Sequence, residues 1–347
     1  MNVSYQRLMA EATRLTQAGD LQGATAAIQA ALGAGSASRD AGNGACVIDV
    51  EAREVEPATA PVEPGGPRAG QFIAGSHTEA GSTREYKLYV PPSYRGQALP
   101  LVVMLHGCKQ HPDDFAAGTR MNDVARERDF FVLYPAQASH ANASRCWSWF
   151  MHDHQRRGRG EPALLAGMTR DVMKRYNIDA HRVYVAGLSA GGAMAAILGA
   201  EYPDLFAAIG VHSGLPPGAA MDINSAFAAM KRGAASSAST RTPPAIVFHG
   251  DRDATVHPAN GEQIVTASAG DAEPETEPAR HDNGRRCTRR IYRDASGRAV
   301  AEHWILHGAG HAWSGGDARG SYTDAKGPDA AREMLRFMFA HTLHDAG

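Results

Sequence analysis

Four short stretches of this chain carry residue types that together could break an acyl bond. The first, "AGLSAGG" (186–192), puts Ser189 at a corner, with Gly187 two residues before it and Gly191 two after. This is the G-x-S-x-G pattern of a tight strand-to-helix turn. Its glycines keep side chains off the neighbouring strand and helix, and its serine stands exposed. The Ala190 amide would then open a helix, where N–H groups point outward and favour negative charge. A glycine-rich turn of this kind also binds phosphate or serves close packing. The serine means hydrolysis only if the chain supplies a base, an acid and a second N–H donor.

Two further stretches offer the base and the acid. "FHGDRDATV" (248–256) presents Asp251 and Asp253 just after an apolar run. Asp253 is favoured as the acid that would orient an imidazole, with Asp251 capping the turn. "GAGHAWSGG" (308–316) places His311 in a glycine-rich loop after the last apolar run. The chain has 16 histidines, so a histidine alone says little. His106, His212, His249, His303 and His307 fall within or at the ends of other runs and are read as structural. The chain order Ser189, Asp253, His311 is that of the α/β-hydrolases and differs from the other serine-hydrolase orders. A fourth stretch, "LHGCKQ" (105–110), follows a strand whose loop in that fold gives the second oxyanion N–H, here Cys108 beside Ala190.

These residues need a scaffold to hold them. Strand-like runs are expected at 85–90, 100–107, 130–135, 182–187, 206–214, 245–250 and 302–308. Helical patterns are expected at 113–128, 161–176, 190–201, 225–232 and 328–343. Runs apolar on both faces, alternating with amphipathic helices, predict a mainly parallel, doubly wound sheet covered on both sides. Sites in such sheets lie at the carboxyl ends of the strands, where Cys108, Ser189, Asp253 and His311 all fall.

The chain divides into three parts. Residues 1–33 read as a small helical appendage, with Leu21, Ala24, Ile28 and Leu32 on one face of its second helix. Residues 34–70, rich in Gly, Ala, Pro and Glu, read as a flexible linker. The catalytic domain is expected at 71–347. A formal net charge of −2 gives no electrostatic reason to expect a nucleic acid partner. No stretch reaches the roughly 18 apolar residues of a membrane span. Arg7, Glu11, Arg14 and Asp20 interrupt the N-terminus, so it holds no apolar core for a secretory signal; the cytoplasm or an export route not visible in the chain remain open. "MHDHQ" (151–155) offers two histidines without evident partners and is read as surface, so no metal site is expected.

The motifs "LHGCKQ", "YPAQ", "CWSWF", "AGLSAGG", "VHSG", "FHGDRDATV", "GAGHAWSGG" and "GSYTDAKGPDA", in this order, resemble the poly(3-hydroxybutyrate) depolymerase-type esterases, a group that also contains feruloyl-esterase-like members. The likeness runs from about residue 70 to the C-terminus. It implies an α/β-hydrolase fold and ester hydrolysis through an acyl-enzyme on Ser189, Asp253 and His311, with no metal or organic cofactor. It also implies an ester substrate, either small or polymeric, and favours a Cys108–Cys146 bridge over two reduced thiols. Cys46 is expected to be free, and the sequence leaves Cys287 undecided. One departure is "HSGLPPG" (212–218), where many relatives have a cysteine in place of Pro216 or Pro217. Trp147, Trp149 and Trp313 are candidates for an aromatic wall along the substrate, with a place in the core as the alternative.

Overall fold

The computed structural model of the protein describes residues 70–235 and 242–343. The helical appendage expected at 1–33, the linker expected at 34–70 save Gly70, and Cys46 lie outside the described residues. What is described follows from one pattern, alternation along buried strands. In β3 (Leu99–Leu105), Leu101, Val103 and Leu105 join one apolar core while Val102 and Met104 join another. In β5 (Ile178–Leu188), Val183 and Val185 face the first core, and Tyr184, Ala186 and Leu188 the second. Both faces of these strands are therefore covered, as in a doubly wound sheet.

The chain enters through an antiparallel hairpin, β1 (Gln71–Glu79) and β2 (Ser82–Val90). After β3 come α1 (Pro112–Thr119), α2 (Met121–Arg128) and β4 (Phe131–Pro135). Helix α3 (Gly160–Arg175) leads into β5, α4 (Ala190–Glu201), β6 (Ala208–His212) and α5 (Ile223–Arg232). Then follow β7 (Ala245–Gly250), α6 (Ala259–Ala269), β8 (Pro274–Thr276), β9 (Arg280–Asp282), β10 (Arg285–Arg293) and β11 (Ala299–Leu306). The short β12 (Trp313–Ser314) and β13 (Thr323–Asp324) pair with each other, and α7 (Ala330–Met338) closes the described chain.

The main sheet runs β1-β2-β4-β3-β5-β6-β7-β11-β10-β8, with β9 on β10. From β4 through β11 the neighbours are parallel, and both flanks are antiparallel. Helices α3, α4, α5 and α6 supply buried residues to one core, and α1, α2 and α7 to the other. This is the α/β-hydrolase arrangement. No helix among the described residues is long and apolar enough to cross a membrane.

The differences from the sequence reading have local causes. The helix expected over 113–128 is two helices, because Arg120 turns left-handed (φ 58°) and caps the first through its N–H to Ala116 O. Helix α6 escapes notice because Gly261, Val265 and Thr266, all weak helix formers, lie within its 11 residues. Strand β10, "RRCTRRIYR", hides its period of two behind five arginines. Only Cys287 and Ile291 on it are fully buried, and Arg289 between them turns inward to a carboxylate.

That carboxylate is Glu302 on β11, 1% exposed, and it fastens one sheet edge to α7. It accepts from Arg289 at 2.8 and 3.1 Å, from Arg336 of α7 at 2.6 Å and from Trp304 Nε1 at 3.3 Å. Burial alone would raise its pKa, but the hydrogen bonds from the two arginines outweigh that and hold it below the usual range. Its stabilising effect is therefore present above the unfolded carboxyl value of about 4.3 and fades as pH falls through the lower folded value. Glu302→Ala, which leaves Arg289 with Glu277 alone and Arg336 with Glu333 alone, is expected to cost about 1–3 kcal/mol at neutral pH by urea unfolding. Glu302→Gln should approach the wild type as the pH drops below about 4. A neutral-pH loss near zero for both variants would show that the network is ornamental.

Candidate functional site

Ser189 occupies the corner between β5 and α4 with φ 57° and ψ −119°, a conformation an L-residue adopts only under constraint. The constraint comes from both sides. The Ser189 N–H donates to His212 O at 2.9 Å, and Ser189 O accepts from Ala193 N at 2.9 Å. The helix that follows is pressed so close to β3 that a methyl on Gly191 would collide with Leu105 O, and one on Gly187 with Gly191 itself. No other residue type fits at these two positions. The turn after β3 runs beside the corner, since a Cβ on Gly107 would stand 3.6 Å from Ser189 Cβ.

That turn, residues 107–110, carries Cys108, whose disulfide partner is Cys146. Lys109 lies in the left-handed region (φ 67°) and donates its N–H to Ser144 O at 2.7 Å. The N–H groups of Cys108 and of Ala190, at the start of α4, have no acceptor among the described residues. The far side of the bridge is anchored by the buried Glu161, which accepts from Ser148 N at 2.6 Å and from Gln137 Nε2. Gln137 also donates to Cys146 O at 2.9 Å.

Asp253 and His311 meet at the carboxyl ends of β7 and β11, with Asp253 Oδ2 2.7 Å from His311 Nδ1. The Asp253 side chain is fully buried, and its Oδ1 accepts from Thr255 N and Val256 N, both at 2.9 Å. Burial would raise its pKa, but the His311 hydrogen bond and charge, with the two backbone donors, pull it down to about 2. A carboxylate so held keeps His311 Nδ1 protonated and leaves Nε2 as the nitrogen that can accept a proton. Asp251 sits apart, accepting from Gly308 N at 2.7 Å and pairing with His307 Nδ1 at 2.9 Å. It ties the two loops together but does not reach His311.

His212 deserves a larger role than sequence reasoning gives it. Its carbonyl takes the Ser189 N–H, and its Nε2 accepts from Ser314 N at 3.0 Å, three residues past His311. The ring is stacked between Phe248 and Trp313, and burial lowers its pKa to about 3. A neutral imidazole thus links the serine corner to the histidine loop. The "VHSG" stretch was the available signal, but a histidine at a strand end does not announce a link to a loop 100 residues on.

The three tryptophans considered for a substrate wall are buried instead. Trp147 donates its Nε1 to His106 O at 3.1 Å, Trp149 packs edge-on to Phe150, and Trp313 lies between Phe115 and His212. They brace the loops from within. No cluster of three or more metal-ligating side chains exists among the described residues. His152 and His154 lie in a short 3-10 turn, His152 half exposed. Cys287 is a free, buried thiol.

A parallel sheet with a serine corner and an acid–imidazole pair at the carboxyl ends of its strands is the layout of an α/β-hydrolase. Residues 84–270 match the model of the family "Esterase PHB depolymerase", and the chain belongs to that family. Poly(3-hydroxyalkanoate) depolymerase C of Paucimonas lemoignei is 32% identical over 253 residues, 69% of this chain. This chain spans 60% of that depolymerase's length. Feruloyl esterase B of Thermothelomyces thermophilus is 29% identical over 198 residues, covering 51% of this chain and 67% of its own. Among solved structures, an acetyl xylan esterase from Aspergillus awamori superposes with a TM-score of 0.62 at 19% identity, over 77% of this chain and 99% of its own. That last likeness is one of fold.

The bridge lends itself to direct test. It closes a loop of 38 residues, which by chain-entropy reasoning stabilises by about 4 kcal/mol. The double variant Cys108→Ser/Cys146→Ser should therefore lose about that much unfolding free energy in urea, with a somewhat larger m-value because its unfolded chain is less compact. A loss below about 1 kcal/mol would mean that the Glu161 and Ser144 contacts already fix the segment.

Proposed function

We propose that this chain is a serine carboxylic-ester hydrolase acting through an acyl-enzyme, with Ser189 as nucleophile, His311 as base and Asp253 as the acid that orients it. The observation that carries this reading is the His311–Asp253 pair at 2.7 Å, on a loop that His212 ties by hydrogen bonds to the strained, half-buried serine corner. In the first half-reaction Ser189 Oγ attacks the ester carbonyl and His311 Nε2 takes its proton. The developing oxyanion lies against Cys108 N–H and Ala190 N–H, both without acceptors and the second at a helix start. The imidazolium is stabilised by Asp253, then returns its proton to the departing alcohol oxygen. Water repeats the sequence in reverse order of bonds, freeing the acid and Ser189.

For substrate class, short hydroxyalkanoate esters or oligomers are the first reading. It is supported by the depolymerase relative, which matches more of this chain, at higher identity, than the feruloyl esterase does. Feruloyl or acetyl-xylan esters are the second, supported by relatives named feruloyl esterase B and acetylxylan esterase A. Kinetics on hydroxybutyrate oligomers, methyl ferulate and acetylated xylan separate them. The first reading requires the largest kcat/KM on the oligomers, and a preference for methyl ferulate reverses the order. A p-nitroanilide that turned over as fast as the matching ester would move the protein to the amidases.

The roles of individual residues lead to sharper expectations. Ser189→Ala should lower kcat on p-nitrophenyl acetate by about 10⁴-fold or more, with unfolding little changed. Asp253→Asn should lose about 10³–10⁴-fold in kcat because its amide can favour the wrong imidazole tautomer. Asp251→Asn, which alters a loop tie, should lose under about tenfold. Since Asp253 titrates near 2, the acid limb of the kcat/KM profile should not be its own. Equal losses in the two aspartate variants would falsify the assignment of the acid.

A further inference from the structure

We infer that Gln110 is a positioning residue for the oxyanion turn, a strut that ties that turn to the segment carrying His311; this rests on the ester-hydrolase reading of Ser189 and Cys108. Gln110 lies between β3 and α1, where a surface turn is expected, yet it is 1% exposed. Its Oε1 accepts the Gly107 N–H at 2.9 Å, and its own N–H donates to Gly107 O at 3.3 Å. It therefore grips, through main chain and side chain together, the residue immediately before Cys108.

The other end of the amide reaches across the molecule. Nε2 donates to Asp114 Oδ2 and to Ser321 O, both at 3.0 Å, and lies 3.3 Å from Ser321 Oγ. Ser321 is clamped in turn, its N–H and hydroxyl donating to Asp114 at 2.8 and 2.6 Å. The next residue, Tyr322, accepts the Trp313 N–H at 2.7 Å, two residues past His311, and β12 pairs with β13 there. A continuous path of hydrogen bonds thus joins Gly107 to the histidine loop. The Gln110 side chain ties together loops 211 residues apart in sequence, with Asp114 holding the same Ser321.

Only an amide fits this position. The site needs an acceptor at one end and a two-proton donor at the other, in one planar group of this length. A carboxylate at 110 would keep the acceptor but set its second oxygen against the Asp114 carboxylate and the Ser321 carbonyl, neither of which can donate. In the wild type, hydrogen bonds from Ser321 and Gln110 hold the Asp114 carboxyl below its ordinary pKa against the opposing effect of burial. A second carboxylate beside it leaves the pair either repelling or sharing one proton, and in both cases Ser321 O loses its donor. Exchanging the two groups restores one amide–carboxylate contact with its polarity reversed, and the Ser321 hydroxyl can rotate to donate to position 110.

The test measures kcat and KM on p-nitrophenyl acetate for the wild type, Gln110→Glu, Asp114→Asn, the double variant Gln110→Glu/Asp114→Asn, and Ser189→Ala. Gln110→Glu should lower kcat by about 10–100-fold with KM changed less than about threefold, because a displaced N–H is felt in the transition state and not in substrate binding. The double variant should regain at least about fivefold of that kcat, a recovery that a general loss of packing would not produce. Where Gln110→Glu does not fold, Gln110→Asn, one methylene too short to reach both ends, should lower kcat about tenfold. A Gln110 variant within twofold of the wild-type kcat overturns the inference, as does a double variant no faster than Gln110→Glu. Ser189→Ala separates the two levels: if it stays active, the hydrolase reading itself fails. If it is inactive while the Gln110 variants are fully active, only the strut fails.

Discussion

The backbone conformation at Ser189 is the constraint on which the rest of the site depends. A left-handed φ at a non-glycine residue costs on the order of 1–3 kcal/mol, so it persists only where its surroundings over-determine it. Here they do. Helix α4 must begin hard against the carbonyls of Leu105 and His106, which removes every side chain at Gly191. The same approach sets the start of α4, and with it Ala190, beside the turn that carries Cys108. Alternating burial along β3, β5 and β6 supplies the rigidity, because strands packed on both faces cannot yield to relieve the corner.

Asp253 and His311, the proposed acid and base, depend on a second constraint, the zipping of the turn after β7 to the loop after β11. Asp251 N donates to Leu306 O and Arg252 N to Ala309 O, both at 3.1 Å, and Gly250 leaves no room for a side chain against Ala309 O. Parallel pairing of β7 with β11 brings the two strand ends level, with Gly250 opposite Leu306. Asp253 and His311 then need only short reaches to meet. The surrounding imidazoles stay out of the electrostatics: burial drives His106 to about 4 and His212 and His303 to about 3. The rings of His106 and His212 act as hydrogen-bond partners, while Asp253 carries the negative charge beside His311.

Much of this was legible in the sequence because it is local. Glycine spacing at 187 and 191, an acid two residues past a turn, and a histidine in a glycine-rich loop each express a steric or chemical need over a few residues. The central strands were legible for the same reason, as were the bounds of β7 and α4. What escaped notice was written in contacts between distant segments. Strand β10 makes sense only once Glu302 and Asp324 are seen to neutralise Arg289 and Arg285. The tryptophans look alike in sequence whether they line a cleft or fill a core; only the packing of Trp313 between Phe115 and His212 decides it. Gln110 closes the "LHGCKQ" stretch, but nothing local tells its strut from an ordinary polar turn residue, since its partner Ser321 is 211 residues away.

The two N–H groups proposed to hold the oxyanion are supported in unequal ways, and the inequality is instructive. Ala190 belongs to a helix whose first ten residues are all buried, so its direction is fixed by the core. Cys108 belongs to a turn with a strained residue, Lys109, and no core of its own. Left alone, such a turn would sample alternatives, and each alternative removes the N–H from the one place where it is needed. The structure answers with separate ties to separate elements: the disulfide to Cys146, the Lys109 N–H to Ser144, and the Gly107 contacts to Gln110. Two of these lead back to the segment braced by Glu161, and the third leads to the histidine loop. The cost of ordering is thus met at folding, before any substrate arrives, which is what preorganised stabilisation of a developing charge requires.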